Sequence, residues 1–165
     1  MEKYYQCQID RVDRLMEIIT SKDENQHLGD VLRFEDVIFM ACQGMWHIKD
    51  WILNDSQFST YKNTLNQRIH QSNVLRVCAD LANGSKHLAL HQPKIGTSGA
   101  VFSEARGIHV EKGIYRRFFY VDCSDVNNEY HGSEIRDLLV SARREWELIL
   151  SEQYQRELRD GEFAY

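Results

Sequence analysis

Residues 32–54, LRFEDVIFMACQGMWHIKDWILN, form the most apolar stretch of the chain and decide its fold class. Wound at about 100° per residue, Phe39, Ala41, Cys42, Met45, Trp46, Ile48, Ile52 and Leu53 cover most of a helix's circumference, the pattern of a central helix packed by others on most sides. Its polar residues are gathered rather than scattered. Asp36, Gln43, His47, Asp50 and Asn54 fall in one arc of about 60°, flanked by Trp51. A narrow polar stripe on a central helix is either its solvent edge or one wall of a site.

On the N-terminal side, Tyr5, Ile9, Val12, Met16 and Ile19 repeat at steps of four and three, so residues 3–20 read as an amphipathic helix. The polar connection that follows contains Glu24-x-x-His27, but a carboxylate di-metal site needs two such pairs and further glutamates. On the C-terminal side, Phe58, Tyr61, Leu65 and Ile69 predict a helix over about 59–71. Ser72 or Asn73 then caps another that runs to about residue 88. The period lapses at HQPKIGTSGA, which holds the single proline, Pro93. Residues 100–122 change to strand chemistry: Ile108–Val110, the turn Glu-Lys-Gly, then IYRRFFYVD, with Arg116 and Arg117 on opposite faces. From Ser133 to about Tyr154, Ile135, Leu138, Leu139, Ala142, Trp146, Ile149 and Leu150 predict the last helix. Arg136, Arg143, Arg144 and Glu147 lie on its wet side, and the tail of about 155–165 is expected to fray. The expected fold is mainly α: an up-and-down bundle of four to five helices in one domain over 1–165, with a β-hairpin inserted before the last helix.

The 165 residues suffice for one real core. With 42% hydrophobic and 27% charged residues, the composition is that of a soluble globular chain. No apolar run reaches the roughly 18 residues of a membrane span, and the N-terminus has no signal-peptide h-region, so the expected compartment is the cytosol. Cys7, Cys42, Cys78 and Cys123 lie far apart without metal-ligand spacing and read as reduced thiols. A net charge of −5 argues against non-specific coating of nucleic acid while leaving room for a local basic site.

Chemistry gathers on residues 77–88, VCADLANGSKHL. There Arg76, Asp80, Asn83 and His87 occupy one arc of about 60°, opposite Val74, Val77, Cys78, Leu81, Ala82, Ser85 and Leu88. Cleaving RNA without a metal requires a base for the 2′-hydroxyl proton, an acid for the leaving oxygen, and donors for the charge on phosphate. His87 suits either proton-transfer role. Asn83 can orient the phosphate or the imidazole, and Arg76 or Lys86 can supply the cation, although Lys86 points about 90° off the stripe. Asp80 repels phosphate and fits better as a partner of Arg76 or an orienter of His87. In the enzyme reading this stripe faces Gln43, His47 and Asp50 across a shared groove. The same four residues also suit the solvent face of an ordinary amphipathic helix. A metal set of His47, Asp50, His87 and His91 is weakened by Pro93, which ends the helix early, so no metal or cofactor is expected.

A helical bundle with Asn83-x-x-x-His87 on a late helix resembles the HEPN superfamily of small, usually dimeric helical domains. Ribonuclease members of that family carry Arg-Asn-x-x-x-His, and here Ala82 stands at the arginine position. The resemblance implies a metal-independent ribonuclease, or an RNA- or nucleotide-binding domain, in toxin, antitoxin or phage-defence systems. It also implies a homodimer with the two motifs facing each other. The alternative is a non-catalytic, dimeric protein-interaction module of a bacterial accessory system.

Overall fold

The computed structural model describes residues 4–21, 34–84, 100–107 and 116–162. Among the described residues five α-helices dominate: α1 (Tyr4–Thr20), α2 (Phe34–Asn54), α3 (Lys62–Gln71), α4 (Asn73–Gly84) and α5 (Ile135–Glu162). Between α4 and α5 lie two antiparallel strands, β1 (Val101–Gly107) and β2 (Arg116–Asp122). The protein is thus a mainly-α bundle with a small β element before its last helix, as the apolar periods predict. Among the described residues no helix is long and apolar enough to cross a membrane.

α2 is the central helix. It packs against α1, α3, α4 and α5, and Val37, Ile38, Ala41, Cys42, Met45, Ile48 and Ile52 are all buried. The α1 contact is close at Gly44, where an added Cβ would lie 2.8 Å from Val12 Cγ2, and the Gln8 side-chain amide donates to the Gly44 carbonyl at 3.2 Å. The α5 contact centres on Trp146, fully buried, whose indole N–H donates to the Met45 carbonyl at 2.9 Å. At the rim, the Arg143 guanidinium grips both carboxylate oxygens of Asp13 at 2.6 and 3.1 Å, and Arg68 ties α3 to Glu145 and Glu152 of α5.

His70 of α3 lies edge-on to Trp46 with ring centroids 5.7 Å apart, and Lys49 sits 4.3 Å over the same indole. Burial, then the Lys49 charge, holds the His70 imidazole below its ordinary value. Its neutral form is therefore favoured in the folded chain. This contribution is intact above the unfolded value of about 6.5 and is lost as pH falls through the lower folded value. Wild type should lose more stability than His70→Gln between about pH 7 and pH 5, read as the drop in urea midpoint. Equal drops in the two proteins would remove His70 from the acid response.

Several local expectations need correction. The helix expected over 59–71 begins with a 3₁₀ turn, Ser56–Tyr61, because Asp55 caps it by accepting the Gln57 N–H at 3.0 Å. The described part of the first strand is Val101–Gly107, paired along the seven-residue β2 from Val101↔Asp122 to Gly107↔Arg116, and residues 108–110 lie outside the described residues. The turn at 111–113 and the side chains of Arg116 and Arg117 lie outside the described residues. The last helix does not fray at Tyr154 but runs to Glu162, through Gln, Arg, Glu and Leu, all good helix formers. Nor is Arg136 on the wet side: it is half-buried, with its guanidinium carbon 5.4 Å from the Phe34 ring and its Nη1 3.5 Å from Glu134.

Candidate functional site

α4 starts at Asn73, just after Ser72 has closed α3, and the Arg76 N–H donates to the Ser72 carbonyl at 3.1 Å. The Asn73 amide donates to Glu129 at 2.8 Å, tying the helix start to the loop before α5, and it accepts from Arg76 Nη2 at 3.4 Å. The Arg76 side chain is thereby held along the helix. It is half-buried, and its Nε has no hydrogen-bond acceptor among the described residues.

The described part of the stripe on α4, Arg76, Asp80 and Asn83, is not a solvent face. Val74, Leu75, Val77, Cys78, Ala79, Leu81 and Ala82 are buried, and so is Asp80, with no accessible surface at all. α4 is enclosed because α2, α3, α5 and β1 all pack against it, whereas an amphipathic surface helix leaves one side to water. Asn83, three residues beyond Asp80 and so on the same side, is half-buried. Ala82 belongs to the apolar packing, and Arg76 is the cation among the described residues on the side of Asp80 and Asn83. Lys86 and His87 lie outside the described residues, as does His91.

Among the described residues the two polar stripes do not converge within one chain. α2 meets α4 through Cys42 and Cys78, both fully buried. The Cys42 sulfur beside it, together with burial, pushes the Cys78 thiol well above its ordinary range, so Cys78 stays protonated and structural. Helical winding places Arg76, Asp80 and Asn83 about 140–160° round α4 from Cys78, on the side away from α2. On α2, Asp50 and His47 stand about 80° and 140° round from Cys42. Both are exposed and Gln43 is half-buried. The groove expected between the stripes is therefore absent among the described residues, and no three potential metal ligands come together there.

Asp50 instead faces another feature. With Tyr4, Trp51, Asn54 and Asp55 it lines a cavity of about 330 Å³ where α1 begins and α2 ends. Sequence reasoning marked Trp51 only as the flank of the polar stripe and passed over Tyr4 and Asp55. The available signal was a tryptophan at the edge of a stripe ending in Asp50 and Asn54, followed directly by Asp55, with no lysine or arginine over residues 51–61. Against known proteins, the chain matches no family model, no curated protein and no solved structure.

Proposed function

We propose that the polar side of α4 is an RNA site, and that the chain is a HEPN-like, metal-independent ribonuclease acting as a homodimer in a cytosolic toxin, antitoxin or defence system. The observation that carries this reading is the complete burial of Asp80 on the same side as Arg76 and Asn83. A carboxylate in a helix whose other faces are apolar is costly to desolvate and is kept there for the polar groups it serves. Polar groups gathered in such surroundings are characteristic of working sites.

In the proposed reaction His87 accepts the proton of the ribose 2′-hydroxyl, and the 2′-oxygen attacks phosphorus. The 5′-oxygen leaves with a proton from the motif of the second copy, giving a 2′,3′-cyclic phosphate and a 5′-hydroxyl. Asn83 and Arg76 donate to the phosphate oxygens on which charge grows. Asp80 acts on this arrangement as a positioning group.

Tyr4, Met40 and Trp51, all exposed on α1 and α2, support a second reading, a surface for a protein partner. The two readings use different sides of the molecule and separate cleanly. In fluorescence anisotropy with a labelled single-stranded RNA, Asn83→Ala should weaken binding about tenfold. His47→Ala on α2 should leave it unchanged. Absence of binding by wild type, or equal losses in both variants, would contradict the placement of the site on α4.

A further inference from the structure

Among the described residues, the lining of the cavity between the start of α1 and the end of α2 carries one sign of charge. α2 ends at Asn54 with no basic residue in its last turn, and carboxylates stand on either side of that turn at Asp50 and Asp55. A helix C-terminus already carries partial negative charge and favours a lysine or arginine nearby. Here the lysine just before Asp50, Lys49, is turned onto the Trp46 ring, and no ion pair among the described residues engages Asp50 or Asp55.

The one side-chain amide among the described lining residues is already engaged. The Asn54 amide donates to the Asp50 carbonyl at 2.8 Å, which turns that amide back onto the helix. The Asp55 carboxylate accepts a single backbone N–H, from Gln57, and keeps further acceptor capacity. Two aromatic side chains complete the walls, with Tyr4 64% and Trp51 39% exposed. Exposed aromatic faces beside carboxylates form the environment that attracts a guanidinium or ammonium group, through the ring quadrupole and the ionic charge together. The volume, at the lower end of the range for ligand pockets, accommodates a whole basic side chain.

We propose that this cavity binds an organic cation through Asp50, Asp55, Tyr4 and Trp51, the cation being a guanidinium or alkylammonium group. This site uses no residue of α4 and is independent of the RNA reading. The cation reaches it either as an arginine or lysine side chain of a polypeptide or as a free small cation.

The test follows the Trp51 indole N–H by NMR during titration with three probes: acetyl-Gly-Arg-Gly-amide, agmatine, and the same peptide with citrulline in place of arginine. A saturable shift with the arginine peptide or with agmatine is expected at about millimolar concentration, weakening with added salt. Asp50→Asn, at an exposed position, and Tyr4→Ala should each weaken it at least about threefold. Tighter binding of the peptide than of agmatine by about tenfold identifies a polypeptide ligand, and comparable affinities identify a free cation. Equal binding of the citrulline and arginine peptides, or no saturable shift with either cation, overturns the proposal.

Discussion

Replacing Trp146 by alanine is expected to remove about 3–5 kcal/mol of stability, a large part of the total for a chain of this size. Trp146 is the largest fully buried side chain, and it lies where α5 meets α2. Two losses combine in the alanine variant. The first is the transfer free energy of the indole together with the void it leaves, in an interior packed too tightly to collapse around it. The second is the 2.9 Å bond from the indole N–H to the Met45 carbonyl, worth about 1 kcal/mol. Trp146→Phe keeps most of the apolar volume and should cost about 1–3 kcal/mol. The check is urea denaturation of the three proteins with a common slope. A cost below about 1 kcal/mol for the alanine variant would mean that α5 does not dock through this residue.

His87→Ala is expected to lower RNA cleavage by about 10²–10⁴-fold while leaving the urea midpoint near the wild-type value. The size follows from the role: an imidazole that moves a proton in the transition state cannot be replaced by water held in the same place. Asn83→Ala should cost less, about 10–10²-fold, since it removes one neutral donor from the phosphate. Because the base must be neutral and the acid protonated, the wild-type rate should pass through a maximum near neutral pH and fall on both sides. If the His87 variant retains the wild-type rate, the histidine has no part in the chemistry.

Much of the bundle was legible in the sequence because its helices bury one side and repeat at three and four. Val12, Met16 and Ile19 in α1, and Leu138, Ala142, Trp146 and Ile149 in α5, read directly as the core they form. What the pattern cannot carry is the position of neighbours. Winding α4 places Arg76, Asp80 and Asn83 on one side, yet a side opposite the apolar residues is wet only if nothing packs over it. α2, α3, α5 and β1 all pack against α4, so a stripe with the look of a solvent edge holds a fully buried carboxylate. The same limit explains the stripe of Gln43, His47 and Asp50. Its composition resembles a site wall, but only the Cys42–Cys78 contact reveals that α4 lies round the helix from it. The cavity at Asp50 was hidden for a different reason. Tyr4 and Asp55 are far apart in sequence and meet Asp50 only because the start of α1 lies beside the end of α2.

The most direct test of the central claim, that α4 carries an RNA-cleaving site, is the chemistry of the ends produced from a single-stranded RNA incubated with wild-type protein in excess EDTA. Fragments ending in 2′,3′-cyclic phosphate, paired with 5′-hydroxyl ends, are the predicted result. RNA that stays intact in EDTA, or fragments bearing 5′-phosphate and 3′-hydroxyl ends, would contradict it.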